Sequence, residues 1–306
     1  MPFTILFLLL SVLSPNLGKA APPGPETFTR WTMVNVTPGE GPADCHLVEM
    51  PDGGKVLIDA GDAWDSLGLC VGRLRRLGVH HLDLVVLTHF HYDHYRALRD
   101  ILQAGIIVDR VALNVPNAAS AKLEIPWGCN LADVATLLDE LRSRHIPYFT
   151  PKAGDSLYAT ATSDGTVAGI DVIAAFDGLH SPLGLTDVND TSIILRLYHG
   201  NTRALFTGDM NLALGTYLAH SDLDLRADLL KAPHHGTDGV APNAFYDKVH
   251  PGAMLVPSPT KLWRSPRSKR TRNYCIEHKI PFYVSGPRGQ VTATMTAQGY
   301  SVETER

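Results

Sequence analysis

The chain has 306 residues, 44% of them hydrophobic and 19% charged, with a formal net charge of −4. That length supports one large domain or two ordinary ones with sizeable cores, and the composition excludes a disordered chain and a surface that is basic throughout. No apolar run reaches the ~20 residues of a membrane-spanning helix, four widely spaced cysteines make no disulfide scaffold, and the 14 histidines are the compositional excess to be placed.

In chain order, residues 3–13 (FTILFLLLSVL) form an apolar run closed by Ser14-Pro15 and followed by Gly18, Ala20 and Ala21. This is the pattern of a secretory signal peptide over residues 1–20. Met1-Pro2 lacks a Lys or Arg, so a buried first helix or strand is the alternative. A secreted protein is expected, without stable membrane insertion after cleavage; a cytoplasmic one is the alternative. Residues 21–27 are a Pro-rich spacer, and residues 28–306 are expected to form the functional domain. Asn35-Val-Thr37 is a glycosylation sequon.

Arg30–Thr37, Cys45–Met50 and Lys55–Asp59 read as strands, the last two joined by a hairpin turn at Pro51-Asp-Gly-Gly54. Trp64–Leu77 has helical spacing and ends at Gly78. Leu82–Thr88 is a nearly continuous apolar run, as in a strand buried on both faces. Tyr95–Gln103 and Leu131–Arg144 read as helices, Arg110–Asn114 as extended. In the second half, Gly169–Ala175, Ser192–Leu197, Arg203–Thr207, Asp228–Ala232, Ala253–Val256 and Phe282–Val284 read as strands. Leu212–His220 and Lys269–His278 read as helices, and Gln290–Met295 with Ser301–Glu303 as a closing hairpin. The alternation predicts an α/β fold in which two mixed sheets are sandwiched between helices.

Chemistry concentrates at Thr88-His-Phe-His-Tyr-Asp-His94, directly after the buried strand. His89 and His91 can project together toward one metal, and Asp93 and His94 can reach a second. Imidazole and carboxylate at this density suit Zn²⁺, with Mn²⁺ or Fe as alternatives. Asp209 follows another strand and a glycine, at the kind of strand end where open sheets place ligands. His234-His235-Gly236 follows a third strand. Three strand ends delivering His or Asp predict one convergent site.

The HxHxDH loop, the later Gly-Asp and the terminal histidine pair resemble the metallo-β-lactamase superfamily, a four-layer αββα fold. Within it, Asn189–Leu197 (NDTSIILRL) and Leu230–Gly236 (LKAPHHG) are most similar to the C-terminal domain of ComEC/Rec2 competence proteins. The likeness runs from about Met33 to Val302. It implies that His89 and His91 bind a first metal, that Asp93 and His94 bind a second, that Asp209 bridges both, and that one of His234 and His235 closes the second site. Many members place a further first-metal histidine before the strand beginning at Ser192. Here that stretch is Asp187-Val-Asn-Asp190, so Asn189 or Asp190 is the expected substitute. Relatives also continue the metal loop with Gly-Gly, where this chain has Tyr95-Arg96-Ala97-Leu98.

The resemblance implies a hydrolase using a metal-bridging hydroxide, with Asp93 and Asp209 orienting it. A phosphodiesterase acting on a nucleic acid or a small-molecule phosphodiester is the leading expectation. A lactone, thioester or β-lactam hydrolase is the first alternative, and a metal- or ligand-binding protein without catalysis the second. Residues 261–272 hold six basic residues with Trp263 interleaved. Lys269, Arg270 and Arg272 are accordingly candidates for phosphate binding, against the plainer reading of a solvated loop and helix start.

Overall fold

The computed structural model describes residues 27–124, 129–237 and 240–306. The signal-peptide reading, and the spacer apart from residue 27, lie outside them.

Two mixed sheets pack face to face. The first has eight strands in the order Gly299–Thr304, Val291–Thr296, Thr29–Met33, Cys45–Glu49, Lys55–Ala60, Leu84–Leu87, Val111–Leu113 and Tyr148–Phe149. The second has seven, in the order Phe282–Val284, Ala253–Val256, Leu229–Lys231, Thr202–Phe206, Ile194–His199, Val167–Ala174 and Ser156–Ala161. Each sheet is antiparallel on one side and becomes parallel on the other, from Lys55–Ala60 onward in the first and from Thr202–Phe206 onward in the second. The parallel strands deliver the loops of the site from their C-terminal ends.

Side-chain alternation produces the layers. Val56, Ile58, Leu84 and Val86 point between the sheets, where they join Leu195, Phe206 and Leu229 of the second sheet. Leu57, Val85 and Leu87 point outward and pack with Leu74, Ile101 and Leu137 of helices Leu69–Arg76, Ala97–Gln103 and Leu131–Ser143. On the far side, Leu205, Leu230 and Met254 meet Leu214, Phe245 and Tyr274 of helices Leu212–His220, Asn243–Val249 and Lys269–Glu277. The result is the expected αββα sandwich. The central strands read as unbroken apolar runs because both of their faces are buried.

Several boundaries differ from expectation. The helix expected over 64–77 begins only at Leu69, because Asp62 accepts the N–H groups of Gly68 and Cys70 at 2.7 Å each and Gly68 adopts φ 74°. The run 82–88 divides at Asp83, whose carboxylate accepts the Lys55 N–H, into His81–Leu82 and Leu84–Leu87. The sequon is buried: Asn35 is 0% exposed and its Oδ1 accepts the Thr37 N–H, so the folded chain offers no glycosylation site there. Among the described residues, no helix is long and apolar enough to cross a membrane.

Candidate metal centre

The HxHxDH loop is held by the strand beside it. Asp59, at the end of Lys55–Ala60, accepts both the backbone N–H and the hydroxyl of Thr88, at 2.7 and 2.8 Å. The same carboxylate accepts His94 Nδ1–H at 2.9 Å. With its own proton given to Asp59, Thr88 Oγ1 is left to accept from His89 Nδ1 at 3.2 Å. One carboxylate therefore sets the tautomers of two histidines, leaving Nε2 of each with its lone pair toward the site. Gly61 lets the loop approach: a Cβ there would lie 1.6 Å from Asp93 O.

Asp209 enters from the second sheet. Its N–H donates to Ser192 Oγ at 3.1 Å, and Gly208 turns the chain at φ 50°, where a Cβ would meet Ser192 Oγ at 2.5 Å. His235 donates Nδ1–H to the Pro257 carbonyl at 3.0 Å, and its Nε2 lies 3.0 Å from Asp209 Oδ2 and 3.2 Å from Asp93 Oδ2. His94 Nε2 lies 3.1 Å from the same Asp209 oxygen. One donor atom from each of Asp93, His94, Asp209 and His235 falls within 4.8 Å of all the others.

Lone pairs converging this closely call for positive charge. Burial opposes charging His94 and His235, yet Asp209 above all, with Asp44 and, for His94, Asp59, holds both imidazoles well above their usual pKa. Nε2 of His89, His91 and His94 is buried without a hydrogen-bond partner. A divalent cation satisfies both observations, so the donor set fits a metal.

The side expected to hold the first metal is looser. The His89 and His91 rings are 4.9 Å apart. His89 is buried and its pKa is held well below normal, by burial first and then by its histidine neighbours. His91 Nε2 lies 3.5 Å from Glu124 Oε2, whose other oxygen accepts the Val188 N–H at 2.8 Å. His234 donates Nδ1–H to Asn211 Oδ1 at 2.7 Å, and its Nε2 stands 3.9 Å from Asp209 Oδ2. Both His234 and His235 hold left-handed backbone conformations, φ 45° and 55°, a strain of the kind concentrated at functional sites.

Other candidates fall elsewhere. Asp190 is buried as the acceptor for the N–H groups of Asn211 and Leu214 at the start of helix Leu212–His220, and burial together with Asp187 pushes its carboxyl up to about 7. It caps a helix and does not face the histidines. Asn189 lines the cavity in front of the metal residues, about 730 Å³ in volume, with its buried Oδ1 unpartnered. Lys269, Arg270 and Arg272 are not in that lining. Arg270 donates to the carbonyls of Val240 and Ala241, and Arg272 to that of Trp263. The basic segment reaches the cavity through Arg267 instead.

Sequence reasoning assigned no role to Lys231 or Asp44. Lys231 is 1% exposed, donates to Gly208 O at 2.7 Å and Asp209 Oδ1 at 3.1 Å, and pairs with the fully buried Asp44. Asp44 N–H in turn donates to Asp93 O at 2.9 Å. The available signal was the apolar context of Leu229–Ala232, in which a lysine is tolerated only when paired.

Together these features define a four-layer αββα protein with a buried His/Asp metal-binding centre at the ends of its parallel strands. The chain belongs to the metallo-β-lactamase superfamily, whose family model matches residues 38–264. Members bind divalent metals and are mostly hydrolases or related enzymes. No curated protein matches the sequence. Among solved structures, the chain is similar to the metallo-β-lactamase fold protein YhfI from Bacillus subtilis, with 14% identity over 83% of this chain and 96% of that one and a TM-score of 0.51. A mutant of the CmlA β-hydroxylase shares 16% identity over 90% of this chain and 55% of its own, with a TM-score of 0.50. A diphosphatase of the PhnP family shares 15% identity over 74% and 85%, with a TM-score of 0.40. The first two likenesses are of fold alone.

Proposed function

We propose that this protein is a dinuclear metal-dependent phosphodiesterase. The observation that carries the reading is the convergence of Asp93, His94, Asp209 and His235, with buried unpartnered imidazole nitrogens beside them, reached from a cavity that Asp93 and His91 line. His94, Asp93, Asp209 and His235 hold the second ion. His89 and His91 would hold the first, and Asp209 Oδ2 faces His94, His235 and His234. Bound there, the ions supply Lewis acidity and bring the pKa of water toward ~7.

The chain's own residues position and shield. Asp59, Thr88, Pro257 and Asn211 each fix a histidine tautomer. Glu124 Oε2 faces His91 Nε2 at 3.5 Å without a hydrogen bond, its other oxygen held by the Val188 N–H. Lys231 takes Asp209 Oδ1 and leaves Oδ2 as the metal-facing oxygen. His89, His94, Asp209 and His235 are all at most 1% exposed, so bulk water is kept from the donors. Asn189 contacts substrate at the cavity wall. A phosphodiester is favoured over a neutral ester by the likeness to ComEC/Rec2 domains in NDTS and KAPHHG and by the arginines at the cavity mouth. The apolar run at 3–13 supports export as part of this proposal.

The test is metal analysis by mass spectrometry paired with a panel of bis(p-nitrophenyl) phosphate, single-stranded DNA, a lactone and a β-lactam. Two ions per chain and turnover of a phosphodiester are expected. Turnover confined to the lactone or β-lactam would replace the substrate class, and absence of stoichiometric metal would remove the enzyme reading altogether.

A further inference from the structure

The cavity wall carries four carboxylates and two guanidiniums, but only the carboxylates are engaged. Asp62 accepts from Gly68 and Cys70, and Asp187 accepts from Asn211 Nδ2 and the Asp190 N–H. Glu124 faces His91 and Val188, and Asp93 faces His235. Among the described residues, the exposed side chains of Arg96 and Arg267 have no carboxylate partner and no hydrogen bond; Arg96 lies only over the Tyr92 ring, 5.8 Å from its centroid. Trp64 stands at the same mouth with 68% of its surface exposed. Its Cδ1–Nε1 edge rests on Gly41, where a Cβ would come within 2.8 Å of both atoms. The ring is thus seated against the protein and open to solvent. At the mouth of the cavity this ring offers a flat apolar face on which a planar group can stack.

Resting on the phosphodiesterase reading, we propose that Trp64, Arg96 and Arg267 form the specificity subsite, and that the substrate is a small phosphodiester bearing an aromatic base, of nucleotide or dinucleotide size. The base stacks on Trp64, and the two arginines hold the anionic portion in front of the metal residues. A cavity of about 730 Å³ has room for a ligand of that size.

The probes are thymidine 5′-p-nitrophenyl phosphate and methyl p-nitrophenyl phosphate, which share a leaving group and differ in the base. Trp64→Ala should raise KM for the thymidine ester about ten-fold with little change in kcat, leave the methyl ester unaffected, and be largely restored in Trp64→Phe. Arg96→Gln with Arg267→Gln should raise KM for both esters and flatten the dependence on salt. Independently of turnover, thymidine monophosphate should quench tryptophan fluorescence at lower concentration than thymidine, and the double arginine variant should erase that difference. Equal KM for the thymidine ester in Trp64→Ala and the parent, or equal binding of nucleotide and nucleoside, would overturn the subsite. Failure to turn over either ester in the metal-loaded protein would remove the phosphodiesterase reading while the binding comparison still judged the subsite.

A separate observation concerns Cys45 and Cys70, both 0% exposed, whose Sγ atoms lie 2.7 Å apart, inside the contact distance of two unbonded sulfurs. We infer that they form a disulfide when the chain folds with a low-molecular-weight disulfide present. The two thiols yield one S–S bond while the oxidant is reduced to two thiols, which take up the two protons and two electrons. Cys45 adjoins Asp44, so the bond would tie helix Leu69–Arg76 to the strand behind the metal centre. Peptide mapping without reductant, on protein folded with oxidised glutathione, should find the two cysteine peptides linked and 2 Da lighter than their sum, with Cys129 and Cys275 alkylated. The Cys45→Ser variant, folded in the same way, should melt roughly 5–10 °C lower. Recovery of Cys45 and Cys70 as separate alkylated peptides would overturn the inference.

Discussion

The two halves of the metal centre are built to different standards. On the second-metal side, three of the four donors are backed. Asp59 stands behind His94, Pro257 behind His235 and Lys231 behind Asp209, and four donor atoms already lie within reach of one ion. On the first-metal side, His89 and His91 are splayed, the capping aspartate offers nothing, and the nearest further groups, Glu124 and His234, stand at 3.5 and 3.9 Å from their facing atoms. Pre-organised donors lose less freedom on binding. The second side should therefore fill first and hold more tightly, and the first should be the exchangeable one.

Five measurements break or sharpen this contrast. The largest effect belongs to Asp209→Ala, which removes the oxygen that faces His94, His235 and His234. Both ions and all turnover should be lost, beyond the roughly 100-fold weakening that follows loss of an outer partner. His91→Ala should abolish turnover but keep one ion, so an active His91→Ala protein with full metal content would sink the assignment. Lys231→Met leaves Asp44 and Asp209 buried without their counter-charge and should cost about 3–5 kcal/mol in denaturant unfolding; an unchanged midpoint would mean the pair contributes nothing. Asp59→Asn releases His94 and Thr88 together, and should weaken the tighter ion about 10–100-fold by competition titration and, through the Thr88–His89 bond, the weaker one to a smaller extent.

The smallest effect is at Asp190. Its folded pKa of about 7 lies above the ordinary 3.8, so its contribution to stability is complete below about 4 and is lost as pH rises toward 7. Asp190→Asn keeps the acceptor for Asn211 and Leu214 and removes that loss. The variant should melt above the parent at pH 8, with the gap narrowing as pH falls from 7 to 4, and with metal content unchanged. A drop in metal content would instead return Asp190 to the ligand set.

Much of this was legible from residue order. His89 to His94 occupy one turn leaving one buried strand, so their common destination follows from spacing alone. The strand runs themselves are continuous because both faces are covered. The helix over 64–77 was misread because apolar spacing is indifferent to Asp62, which captures the first amides and delays the start to Leu69. The basic segment shows the same limit of residue order. Composition shows six positive charges, but side-chain direction sends Arg270 and Arg272 to backbone carbonyls and leaves Arg267 at the cavity.

What the sequence determined by itself was the superfamily pattern, the αββα layering and the residues that leave the strand ends. These are local properties, written in periodicity and in motifs a few residues long. Only the tertiary structure decided which histidine of the 234–235 pair meets Asp93 and Asp209, and that a buried lysine secures the central aspartate. Those contacts join residues distant in the chain: Lys231 with Asp44, His235 with Asp93, Trp64 with Arg267 around one cavity. Spacing along the chain says where a side chain departs, but its partner is chosen by the packing of two sheets whose faces must both be buried.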